Sequence, residues 1–180
     1  LQKLKNVFDL TGIEQEIIFN SVSVSAKMLL ALLEGEFDYA DDETDNLENF
    51  IYNRFRLLFR EAPANEKEVQ NKLEDLLIGK NMNKGIDYDR ETGKFNFSGR
   101  EYVPDFIIPK YNICIEVKLI KDRFRCSKLI EEINADITAY SKTYDRIIFV
   151  IFDLGFIRDE LEFKRDIEAS GNIKVLIIKY

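Results

Sequence analysis

The chain has 180 residues, 26 Lys and Arg against 33 Asp and Glu, a formal net charge of −7 and no histidine. A pI near 4.9 argues against nonspecific coating of nucleic acid, though it leaves room for a local basic groove. Without histidine, Ser-His-Asp and Cys-His catalysis and His-ligated zinc are excluded, so catalysis must rest on carboxylates, lysine, tyrosine or a metal.

Residues 1–35 read as helical. "LKNVFDL" and "EQEIIFNSVSVSAKMLLALLEGE" place Ile17, Val24, Met28, Leu29, Leu32 and Leu33 at three- and four-residue spacing. No unbroken apolar run reaches the ~18 residues of a membrane span, and no signal peptide is visible. The expectation is therefore a soluble cytoplasmic protein without a membrane partner. The chain starts at Leu1 rather than Met, as expected of a fragment of something longer. "FDYADDETDNLEN", Phe37 to Asn49, is acidic and reads as a solvated loop before a second helix through "LENFIYNRFRLLF".

The pattern changes near Ala62 to Asn65, which divides a helical segment at 1–62 from an α/β domain at 63–180. "NEKEVQNKLEDLLIG" predicts a helix with Val69, Leu73, Leu76 and Leu77 inward and Gly79 as its stop. "IDYDRETGKFNFSG" predicts a hairpin around Glu91-Thr92-Gly93. "YVPDFII" reads as one strand, "PKYN" as a turn and "ICIEVKLI" as the next strand. An amphipathic helix follows in "SKLIEEINADITAYSKT", with Ile130, Ile133, Ile137 and Tyr140 as its stripe. "RIIFVIF" is a continuous apolar run suited to a sheet covered on both faces. A helix in "IRDELEFKRDIEA" and a strand in "IKVLIIKY" complete an α/β fold with a mixed central sheet. Cys114 and Cys126 form no CxxC pair and are too few for a disulfide framework, so two reduced thiols are expected.

Polar residues interrupt the strands in a pattern of their own. Alternation along "ICIEVK" sends Ile113, Ile115 and Val117 to one face and Cys114, Glu116 and Lys118 to the other. Glu116 and Lys118 are then about 7 Å apart on one face. If "PKYN" is tight, Asp105 lies beside Glu116, and Pro104 sits where a missing N–H does no harm. Two carboxylates about 4 Å apart repel by roughly 4 kcal/mol at an effective dielectric near 20. A shared proton or a cation must relieve them. An all-oxygen site suits Mg²⁺ or Mn²⁺, and a lysine alongside suits phosphodiester hydrolysis. The plain alternative is a partly buried Glu116–Lys118 ion pair with Asp105 as a turn residue.

"PD…EVK" on successive strands resembles the PD-(D/E)xK nuclease superfamily, whose fold is restriction-endonuclease-like. "NEKEVQNKLEDLL", "YVPDFIIPKYNICIEVK", "EEINADITAY" and "IIFVIFDLGFI" occur in the order and spacing of the family related to DpnII/MboI-type restriction enzymes. The resemblance runs from about Asn65 to Tyr180 and leaves residues 1–60 uncovered. It implies a metal-dependent nuclease acting on nucleic acid, with a DNA endonuclease of restriction, repair or phage defence as the leading expectation and RNA left open as a substrate. It also implies a third acid on the first helix. Glu66 lies about 35° from the centre of the apolar stripe and Glu68 about 125° away, so Glu66 is preferred. Supporting the helix N-terminus is the alternative role of Glu66. The implied metal ligands are Asp105, Glu116, the Val117 carbonyl and Glu66. Lys118 orients or activates water for a single in-line attack, and Glu132, Asp136 and Tyr140 support the site. Asp153 also matches. Leu154 stands where the family often has proline, and Ala139 where it often has arginine.

"KLIKDRFRCSK" concentrates Lys118, Lys121, Arg123, Arg125 and Lys128 against one acid, Asp122. Lys121, Arg123, Arg125 and Lys128 read either as phosphate contacts, with Phe124 stacking on a base, or as a solvated loop. A homodimer, or a place within a larger multidomain protein, is the expected assembly. The rival to an enzyme is a nuclease fold kept as a silent binding module, which the acidic balance favours.

Overall fold

The computed structural model describes residues 12–180, without the side chains of residues 36–38, 40, 41, 126, 127 and 170. "LKNVFDL" lies outside the described residues. The chain divides into two compact units between Asp45 and Asn46.

In the first unit the backbone is helical throughout the described part. Helix α1 runs Gly12–Arg54 without a break, so the acidic loop expected at Phe37–Asn49 is helix instead. The stretch contains no proline, and its Ala, Glu and Leu residues favour helix, while acidity governs solvation rather than backbone dihedrals. Ile17, Val24, Met28, Leu29, Leu32 and Leu33 share the helix as predicted, but all are exposed. Gly12–Gly35 spans 24 residues at a mean hydropathy of 1.5, long and apolar enough to cross a membrane. This corrects the expectation drawn from unbroken runs: isolated Asn, Ser and Lys residues interrupt the run but leave the average high.

The second unit begins with the last turns of α1, where Leu47 and Ile51 enter a core with Phe55 and Phe59. Helix α2 (Glu66–Gly79) buries Val69, Leu73, Leu76 and Leu77 as the stripe predicts. Asn65 caps it by accepting the Glu68 N–H, and Glu68 reaches back to accept the Ala64 N–H. The first short strands are β1 (Asp89–Arg90), β2 (Phe95–Phe97) and β3 (Arg100–Tyr102). Strand β4 (Phe106–Ile108) leads through a 3₁₀ turn at Pro109–Tyr111 into β5 (Ile113–Ile120). Helix α3 (Arg123–Tyr140), β6 (Arg146–Asp153), α4 (Glu160–Ile167) and β7 (Ile173–Lys179) follow.

The main sheet has the order β1-β4-β5-β6-β7. Its β1/β4 and β4/β5 pairs are antiparallel, and β5/β6 and β6/β7 are parallel. This is the mixed sheet flanked by helices expected of a restriction-endonuclease-like fold. Side-chain alternation divides the core in two. Ile113, Ile115 and Val117 with Ile148, Val150 and Phe152 face α2 residues, whereas Cys114 with Ile147, Phe149 and Ile151 faces α3 residues. Strand β6 is thereby covered on both faces, which explains its continuous apolar sequence. Cys114 is buried and free, and the Cys126 side chain is outside the described residues.

Three local expectations are corrected. The hairpin does not turn at Glu91-Thr92-Gly93. Strand β2 pairs with β3 across Ser98-Gly99, whose φ values of 49° and 78° fit a type I′ turn. β1 pairs instead with β4, because Glu91 (φ 52°) and Gly93 (φ 73°) turn the chain away from β1. "YVPDFII" is likewise two strands, β3 and β4, separated by Val103, Pro104 and Asp105. Pro104 has no N–H for a ladder, so the break falls beside it. On α3, Leu129 and not Ile130 joins the buried stripe; Ile130 is 41% exposed.

Candidate active site

The break before β4 creates the site. The antiparallel register pairs Phe106 with Ile115, so Asp105 and Glu116 would form the next pair. The chain leaves the ladder at Asp105, and the edge of β5 beyond Ile115 loses its strand partner on that side. Two acid side chains take over the exposed edge. The Val117 N–H donates to Asp105 Oδ2 at 2.7 Å, and the Leu119 N–H donates to Glu66 Oε2 at 3.2 Å. A residue's N–H and C=O leave a strand from the same edge, so the Val117 carbonyl points to this opening too.

Glu116 and Lys118 project from the other face-set of β5, on the side of α3. Lys118 Nζ lies 2.9 Å from Glu116 Oε1 and 3.1 Å from Asp136 Oδ2. Tyr140 donates its hydroxyl to Glu116 Oε2 at 3.1 Å, and the Asp105 N–H approaches the same oxygen at 3.4 Å. Asp136 and Tyr140 are one turn apart on α3, so a single helix face supplies both contacts.

Burial governs the electrostatics. It pushes the Glu116 carboxyl up to about 8, with neighbouring Asp105 adding to the rise and Lys118 opposing it. It pushes Asp105 up to about 6, against the pull of the Val117 N–H and Lys118. Asp136 is also raised by burial, partly offset by Lys118. Burial alone would lower the Lys118 ammonium, but Glu116 and Asp136 outweigh it and hold the proton more tightly than usual. Burial and then Glu116 raise Tyr140.

Of the residues named from sequence, the fold gathers Asp105, Glu116, Lys118, Asp136 and Tyr140. Glu66 stands next along the β5 edge, 3.8 Å from Arg125, while Glu68 is occupied in the helix cap. Glu132 sits 4.0 Å from Lys128, on the same helix but one step removed from Glu116 and Lys118. Lys121 donates to the Ala64 carbonyl at 2.7 Å, and Arg123 opens α3 beside a cavity of about 470 Å³. Asp153 is fully buried and accepts the Phe156 and Ile157 N–H groups, a loop-stabilising role. Phe124 is 93% exposed.

One participant escaped the sequence reading. Gln70 donates to Asp105 Oδ1 at 2.7 Å, and Arg90 holds Gln70, Asn71 and Glu74 around it. Its signal was a polar residue on the buried face of α2, four positions after Glu66.

The DpnII-MboI restriction endonuclease family model matches residues 62–180. The chain belongs to this family. Neither the curated proteins nor the solved structures give a match. Membership in the DpnII-MboI family makes the chain a nuclease hydrolase, with DNA as the substrate the family implies. Restriction endonucleases generally use divalent metal ions. Among the described residues, no three Asp, Glu or Cys side chains converge at metal-binding spacing. The donor chemistry nevertheless fits a hard cation: Mg²⁺ commonly takes one or two carboxylates and fills its remaining positions with water. Two buried acids that each resist ionisation are what a cation would relieve.

Proposed function

We propose that the chain is a Mg²⁺- or Mn²⁺-dependent DNA endonuclease of the PD-(D/E)xK type, acting in restriction or a related defence on cytoplasmic DNA. The observation that carries this reading is the parting of β4 from β5, with Asp105, Glu116 and Lys118 converging at the gap. Asp105, Glu116 and the Val117 carbonyl would hold the cation, with Glu66 as a further carboxylate along the edge. A cation there would neutralise charge developing on the phosphoryl oxygens.

The chain's own groups then divide the work. Lys118 keeps its proton, so it acts as a donor that positions water and stabilises negative charge rather than as a base. Asp136 and Glu116 hold its ammonium from two sides. Tyr140 fixes the Glu116 carboxylate, and Gln70 fixes that of Asp105. Water attacks the phosphorus in line with the leaving oxygen: its P–O bond forms as the P–O bond to the leaving group breaks, its proton passes to solvent, the leaving oxygen takes a proton from solvent, and no covalent enzyme intermediate is needed.

Plasmid nicking in Mg²⁺ or Mn²⁺ tests the proposal with wild type beside Lys118→Ala. Loss of one positioned charged donor should lower the rate by at least about 10²-fold. Equal cleavage by both proteins would remove Lys118 from the mechanism. Cleavage by neither, with no Mn²⁺ uptake by calorimetry at millimolar concentration, would leave a silent binding module.

A further inference from the structure

Hairpin β2–β3 forms its own two-stranded sheet, separate from the main one, and ends three residues before Asp105. Phe95 and Tyr102 pair across it with ring centroids 5.9 Å apart. Each ring also meets Tyr140 edge-on, at 6.0 Å and 6.2 Å. The hairpin is therefore seated on the tyrosine that bonds Glu116. Its register pairs Phe97 with Arg100, which puts Arg100 on the same face as Phe95 and Tyr102. That face is turned to α3, where Asp136 stands one turn before Tyr140. The Arg100 charge helps hold the Asp136 carboxyl down, as a nearby guanidinium does.

Of the cations picked out by sequence, three already have protein partners, and Arg123 lines the cavity beside Phe156 and Phe163. Lys121 is engaged by Ala64, Arg125 by Glu66 and Lys128 by Glu132. Arg90, on β1, is engaged by Glu74 and Asn71. The Arg100 side chain is exposed, and a charge it faces within the protein is that of Asp136. An exposed guanidinium on an ordered arm packed against the site's tyrosine is placed to meet a backbone phosphate, whose oxygens suit a bidentate arginine contact.

We propose that Arg100 binds a DNA backbone phosphate next to the cleaved one, and that hairpin β2–β3 is the arm that delivers it. This rests on the site being a DNA-cleaving centre. A phosphate contact adds affinity without reading sequence, and each one contributes about 0.9 to the slope of log affinity against log salt.

The test measures duplex binding by fluorescence anisotropy in Ca²⁺, from 50 to 200 mM salt, on several unrelated sequences. Arg100→Ala should weaken binding roughly tenfold on every sequence at low salt, as expected for one charge-assisted bond. It should also reduce the salt slope by about 0.9, and Arg100→Lys should restore the slope. Melting curves of the variants report whether they are folded. Wild-type slope and affinity in folded Arg100→Ala would overturn the proposal, as would a loss confined to one sequence, which would mark a base contact. If wild type binds no duplex, the DNA-cleaving reading itself fails and Arg100 loses its ligand with it.

Discussion

Replacing Glu116 by Gln should stabilise the metal-free protein at pH 9 and do so far less at pH 5.5. The folded-state carboxyl sits at about 8, above its ordinary 4.5, because it is buried and stands beside Asp105. Between those values the folded chain keeps a proton that the unfolded chain has released. Stability therefore falls as pH rises through this window, and the full cost stands above pH 8. At 1.36 kcal/mol per pKa unit, moving the carboxyl from 4.5 to about 8 corresponds to about 5 kcal/mol. Asp105 and Lys118 share the titration, so that figure belongs to the cluster and is an upper bound for Glu116 alone. Glutamine removes the charge and keeps an oxygen that can accept from Lys118 or Tyr140. Thermal melts in a chelator, from pH 5.5 to 9, should show the wild-type Tm falling relative to the variant by ~10 °C. Added Mg²⁺ or Mn²⁺ should recover much of the wild-type loss at high pH and leave the variant unmoved. Parallel pH profiles for the two proteins would refute the argument that burial of this carboxylate strains the cation-free site.

Two further changes probe the supports. Gln70→Leu keeps the volume but strips Asp105 Oδ1 of its 2.7 Å donor, which pushes that carboxyl up further. Calorimetric Mn²⁺ affinity should drop, more at pH 7 than at pH 8.5, and an unchanged affinity would show that Gln70 does not tune Asp105. Gly93→Ala places a Cβ 2.7 Å from the Tyr144 hydroxyl at a φ of +73°. Urea unfolding should show a loss of about 1–2 kcal/mol, and wild-type stability would contradict this close approach.

Much of the site was legible because strand alternation is local. A period of two along "ICIEVK" suffices to put Glu116 and Lys118 on one face with Cys114, and the helical period suffices to turn Glu66 toward the sheet. The parting of β4 from β5 was less legible, since "YVPDFII" reads as one strand until the pairing of Phe106 with Ile115 shows where the ladder starts. Gln70 and Arg100 were missed for a related reason. Each acts on a residue distant in sequence, Gln70 on Asp105 and Arg100 on Asp136, and neither periodicity nor composition records such a meeting.

Sequence by itself determined the α/β order, the apolar stripes and the acid–acid–lysine pattern, because backbone periods and side-chain chemistry are properties of short segments. Tertiary structure alone decided which edge of β5 was left open, which acids covered its N–H groups and which charges met across the site. Those outcomes depend on hydrogen-bond partners and charges brought together from separate elements, and burial then set their protonation. The same division explains α1: acidic composition read as a loop, yet the unbroken hydrogen-bonded backbone from Gly12 to Arg54 is helix.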